Sequence, residues 1–177
     1  MSVNISSLQF RQQDFVTTVE QALESSGLPP QLLELEMTES SIMQQVEATI
    51  SDLILLKEIG LQLSIDDFGT GYSSMSYLKR FPLDTLKIDR SFVRDLSTET
   101  SDAAIVKATI ALAKSLELTT IAEGVENKTQ LEFLRQHHCD LVQGYYFSRP
   151  VPAAEAESII GLGILPAEKT AERGARA

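Results

Sequence analysis

Apolar positions along the chain alternate between two spacings. From Gln9 to Ser25, Phe10, Phe15, Val19, Ala22 and Leu23 recur near a 3.6-residue period and predict a helix, which Gly27 and Pro29-Pro30 stop. Further helices are predicted over Val46 to Ile59, closed by Gly60 at the C′ position, and over Tyr72 to Phe81, stopped by Pro82. Others run from Asp102 to Leu116, with Ser101 as N-cap, from Lys128 to His137, and from Pro152 to about Ile160. Between them lie short apolar runs of strand character: Leu32 to Met37, Leu61 to Ile65, Thr85 to Ile88, Thr119 to Ala122 and Leu141 to Phe147, with Val3 and Asn4 ending another. Residues 164–177 have little to bury and predict a flexible tail behind one domain over 1–163.

Strands that alternate with helices imply a parallel sheet, either open and doubly wound or closed as a (β/α) barrel. No GxGxxG follows the first strand, which weakens a dinucleotide-binding reading. A closed barrel takes about 200–250 residues. This chain has 177. The expectation is an α/β fold of about six βα units and, if it closes as a barrel, an incomplete TIM-type barrel with one or two units missing.

Polar groups terminate the apolar runs one after another. Asn4 follows Val3, Glu36 closes "LLELE", Asp66 and Asp67 close "LSIDD", and "LKID" carries Lys87 and Asp89. "TIAE" ends in Glu123, with Glu126 three residues on, and "LVQ" ends in Gln143. Taken singly, such a residue serves as a cap or a surface group; Glu39 can cap the helix that follows it. Independent caps have no reason to recur on strand after strand. In a parallel sheet the strand C-termini share one face, so these side chains converge there. Carboxylates with an Asn oxygen, and no Cys or His, select hard cations such as Mg²⁺ or Mn²⁺ over zinc. A pair of such ions clamps a phosphodiester for in-line attack, and Lys87 can neutralise charge on phosphate or orient the attacking water.

Composition narrows the class. A net charge of −10 argues against a surface for a nucleic-acid polymer, which needs Lys/Arg clusters; bridging metal ions still allow a phosphate ester. The single cysteine, Cys139, excludes an internal disulfide and a Cys-based zinc cage. No apolar run reaches the roughly 18 residues of a membrane span, and Met1-Ser2-Val3-Asn4 does not open a signal peptide. A cytoplasmic setting is expected, within a parent chain that can itself be membrane-anchored.

The segments "SVNISSLQF", "LELEMTES", "SIDDFGTGYSSMSYLKRFPLDTLKIDRSFV", "TTIAEGVE" and "LVQGYYFSRP" resemble, in order and spacing, the EAL domains. These are bacterial phosphodiesterases specific for cyclic di-GMP. The resemblance spans Ser2 to about Ile160 and implies a modified (β/α)₈ barrel with its site at the strand C-termini. It implies Asn4, Glu36, Asp66, Asp67 and Glu123 as metal-site positions for two Mg²⁺ or Mn²⁺ ions. Glu123 also matches the general base and Lys87 the lysine near the attacking water. Glu126 and Gln143 match further active-site positions, and Glu39 the glutamate that steadies the loop beginning "DFGTG", where Gly69 and Gly71 permit a hinge. A homodimer through the loop and helix after Asp67 is implied, as are sensory or diguanylate cyclase domains upstream in a parent chain. One departure stands out: no Glu-Ala-Leu tripeptide occurs, and Met1 falls where the family enters its second strand. The chain is thus expected to lack the first βα unit with one metal-binding glutamate, and to be inactive or weak alone. The other reading is a degenerate EAL module that acts by ligand binding or protein contacts.

Overall fold

Period-2 alternation gives the sheet two unlike faces. In the computed structural model, which describes residues 1–43, 46–70, 75–96 and 101–162, six strands run parallel in sequential order. They are β1 (Ser2–Ile5), β2 (Glu34–Thr38), β3 (Gln62–Phe68), β4 (Thr85–Ile88), β5 (Thr119–Ala122) and β6 (Leu141–Val142). Leu35, Met37, Leu63, Ile65, Leu86, Ile88 and Ala122 point to one face and are buried in a single core with helix residues such as Leu53, Leu56 and Ile110. The register pairs Asn4 with Glu36, Glu36 with Ser64 and Ser64 with Thr85, so the opposite face is polar. The sheet is not closed: among the described residues, β1 and β6 each pair on one side only.

The connecting helices are α1 (Ser7–Phe10), α2 (Phe15–Ser26), α3 (Glu39–Ile42), α4 (Val46–Ile59) and α5 (Met75–Leu78). They continue with α6 (Arg90–Arg94), α7 (Ser101–Ser115), α8 (Lys128–Gln136) and α9 (Ala153–Leu162). The helix expected over Gln9 to Ser25 is two. A Ser6–Gln9 capping box starts α1, the wholly polar stretch 11–14 turns, and Phe10 then packs on Phe15 with ring centroids 5.3 Å apart. Pro30–Leu32 form a 3₁₀ turn, so β2 begins at Glu34 rather than Leu32. β3 extends past Ile65, with a register shift against β4 where Asp67 adopts a φ of 54°. The predicted strand from Leu141 to Phe147 is only Leu141–Val142, because the following backbone docks on Val125 instead of extending the ladder. Helix α6, capped by Asp89, was not signalled by periodicity. Ser101 is the first helical residue of α7 rather than its cap. Gly71, the start of the helix expected from Tyr72, and the tail 164–177 lie outside the described residues.

Two carboxylates fix register at the strand N-termini, away from the polar strand ends. Asp84, just before β4, accepts from the Leu63 N–H at 2.8 Å and pairs with Lys57 at 2.7 Å. Asp140, just before β6, accepts from the Thr120 N–H at 2.8 Å and from its hydroxyl at 2.6 Å. Each reaches the backbone of the preceding strand in the sheet, so neighbouring strands are pinned by a charge-assisted bond.

Candidate active site

Lys87 stands at the centre of the polar face. It is 4% exposed, and its Nζ lies 2.6 Å from Glu36 Oε2, 2.7 Å from Glu123 Oε1 and 3.4 Å from Asp66 Oδ1. Strands β2, β3 and β4 and the end of β5 thus each send one charged group to a common point. Burial alone would pull the lysine pKa down; hydrogen bonds to Glu123 and Glu36 outweigh it and hold the value above the ordinary lysine range. Burial raises the pKa of Glu123, against the lowering effect of Lys87. One ammonium among three carboxylates leaves an excess of negative charge.

Asp67 follows in a left-handed backbone conformation, with its N–H bonded to Asp66 Oδ1 at 2.9 Å. Its side chain faces that of Asp89. Burial, then repulsion by Asp66 and Asp89, raises the Asp67 pKa. At Asp89 burial acts upward too, but hydrogen bonds from Ser91 prevail and lower the value. Asp89 caps α6, accepting from the Ser91 N–H at 3.0 Å. Sequence reasoning placed Asp89 at a strand end but gave it no role; its N-cap position before "RSFV" was the available signal.

The other expected residues are arranged around this centre. Asn4 is exposed on β1 and in register with Glu36. Glu126 and Gln143 are exposed beyond the ends of β5 and β6. Glu39 is 3% exposed, and its Oε2 accepts from the Gly69 N–H at 3.1 Å, tying α3 to the turn after β3. Glu123, Glu126 and Gln143 are held by interlocked backbones. Gln143 donates to the Ala122 carbonyl at 2.9 Å, Val125 to that of Gln143 at 3.0 Å, and Tyr146 to that of Val125 at 2.9 Å. Only glycine fits here: a Cβ on Gly144 would lie 2.2 Å from the Val125 carbonyl oxygen, and one on Gly124, at φ 71°, would lie 2.6 Å from Arg90 Cβ. Neither glycine had a role in the sequence reading, since its meaning lies in a partner distant along the chain.

A parallel βα sheet with clustered carboxylates and a buried lysine beyond its strand C-termini is the architecture of a barrel-type α/β domain. Residues 1–150 match the EAL domain family, and the chain belongs to it. It is 49% identical over 160 residues to the cyclic di-GMP phosphodiesterase NbdA of Pseudomonas aeruginosa, an alignment covering 90% of this chain and 20% of that protein. The chain thus spans about a fifth of the length of the curated relatives it matches. Its fold matches a solved phosphodiesterase, the MucR complex with c-di-GMP, with a TM-score of 0.85 and 46% identity over 88% of this chain and 63% of that one. MucR of P. aeruginosa is a bifunctional diguanylate cyclase/cyclic di-GMP phosphodiesterase. Klebsiella pneumoniae BlrP1, solved in calcium and manganese complexes with cyclic di-GMP, matches with a TM-score of 0.77 and 33% identity over 84% of this chain and 38% of that one. Among the described residues, no helix is long and apolar enough to cross a membrane.

Proposed function

We propose that this chain is a divalent-metal-dependent phosphodiesterase domain that opens cyclic di-GMP to linear pGpG. The observation that carries the reading is the convergence of Glu36, Asp66 and Glu123 on buried Lys87 in a chain of the EAL family. In kind the donor set suits a hard cation, being all oxygen with excess negative charge, although its carboxylates would have to draw together from their places around Lys87 to hold one ion. Asn4, Glu36, Asp66, Asp67 and Glu123 would hold Mg²⁺ or Mn²⁺. Bound there, the ions would supply Lewis-acid stabilisation of the phosphate.

The residues then divide the work. Glu123 takes the proton of the attacking water as its oxygen bonds to phosphorus. The ester bond to the 3′ oxygen breaks in line, and that oxygen leaves and takes a proton from solvent. Lys87 donates to a non-bridging phosphate oxygen as charge builds there. Glu126 and Gln143 contact the ligand from the rim, and Glu39 steadies the turn at Gly69. Incubation with cyclic di-GMP and Mn²⁺, followed by chromatography, tests the reading: pGpG is expected, and its absence while the ligand still binds sinks the catalytic role.

A specific observation favours a second reading, binding without hydrolysis. Among the described residues, no three acidic, His or Cys side chains are placed to hold one cation, and Lys87 occupies the space between the carboxylates. Calorimetry that detects cyclic di-GMP binding by a chain releasing no pGpG would select it.

A further inference from the structure

We propose that Ser64 holds an internal water beneath Lys87, and that through this water it fixes the spacing of Lys87 and Glu36. Ser64 lies mid-strand on β3, in register with Glu36 on β2 and Thr85 on β4. It is fully buried, and among the described residues its Oγ has no hydrogen-bond partner. Leaving a buried hydroxyl unsatisfied costs about 1–3 kcal/mol, and native proteins relieve such groups with ordered water.

The surroundings suit a water. Ser64 shares the polar face with Glu36, Asp66, Thr85 and Lys87, enough polar groups to supply the two to four partners a buried water needs. Lys87 belongs to β4 but reaches Glu36 on β2, so its side chain crosses over β3. Two strand spacings amount to roughly 9–10 Å, and the β3 residue in register with Glu36 is Ser64. A small side chain there leaves room for the crossing, and its hydroxyl offers a hydrogen bond beneath it. The Ser64 hydroxyl donates to the water. The water donates to Glu36 Oε1, the oxygen that Lys87 does not engage. Ser64 is then a positioning residue acting through Glu36 and Lys87.

The kinetic consequence rests on the phosphodiesterase reading; the water does not. Atomic-resolution crystal structures of the chain and of Ser64→Ala test the site directly. The expected result is density for a water about 3 Å from Ser64 Oγ, lost in the variant. Ser64→Ala should lower kcat about tenfold with KM little changed, the usual scale for a residue that supports a metal ligand. Ser64→Thr, which keeps the hydroxyl, should retain more kcat than Ser64→Val, which has the same shape without it. Absence of the water overturns the proposal, and so does an unchanged kcat in Ser64→Ala. If the chain hydrolyses nothing, the proposed activity fails while the density still decides the water site.

Discussion

Lys87 would be costly to bury alone, and so would the three carboxylates around it. Together they are tolerated because each group offsets the others' desolvation: the 2.6 Å and 2.7 Å contacts to Glu36 and Glu123 are charge-assisted hydrogen bonds. Removing only the cation leaves like charges facing one another. Lys87→Met should therefore destabilise the metal-free protein by about 3–5 kcal/mol, read by urea unfolding in the presence of a chelator. An unchanged unfolding midpoint would mean that the cluster is already hydrated and that the ammonium does not hold it together. Much of this site was legible in the sequence, because polar residues closing successive apolar runs must share one face once the strands are parallel. What was not legible is that Lys87 spans two strands to reach Glu36, that Asp89 faces Asp67, and that Ser64 sits beneath the crossing. Those depend on register and side-chain direction across the sheet, which no local spacing encodes.

At the scale of elements, what positions the site is how neighbouring segments dock. The turn after β5 and the turn after β6 are joined at Val125 and Gly144, which carries Glu123, Glu126 and Gln143 as one body. Gly144→Ala places a methyl against main chain that cannot yield like a flexible side chain. A loss of about 1–3 kcal/mol in stability is expected, with a fall in any hydrolytic rate; a variant as stable and active as the parent would show that the two turns move independently. At the other end of the strands, hydrogen bonds from the Thr120 hydroxyl and N–H hold the Asp140 carboxyl below the usual aspartate pKa. A lowered folded-state pKa means that the unfolded chain binds the proton more readily. The resulting stability is present above the unfolded value, about pH 4, and is lost as pH falls through the folded value. Asp140→Asn should flatten that acid limb of the stability curve, and an unaltered limb would contradict the latch. The order of the six strands was read correctly from the apolar pattern. The break between α1 and α2 and the short β6 were not, because a Phe10–Phe15 ring contact and a backbone docking site override local pattern.

Across the whole molecule, a net charge of −10 and an excess of carboxylates at the strand ends set up an affinity for cations. Mn²⁺ that binds the folded chain and not the unfolded one stabilises by about 2.7 kcal/mol at a hundred times its Kd. A rise in Tm on adding Mn²⁺, reversed by chelator, is expected; no shift at any concentration would leave the carboxylates without a metal role. Among the described residues the sheet is open at β1 and β6, and the alignment covers 20% of NbdA, so the chain is best tested for what its own residues do. The most direct measurement is the rate of pGpG formation from cyclic di-GMP with Mn²⁺, compared between the chain and Glu123→Gln after circular dichroism has shown that both are folded. The account predicts metal-dependent product from the parent and a rate at least about 100-fold lower in the variant. Equal rates in the two proteins, or product formation that persists in excess chelator, would contradict it.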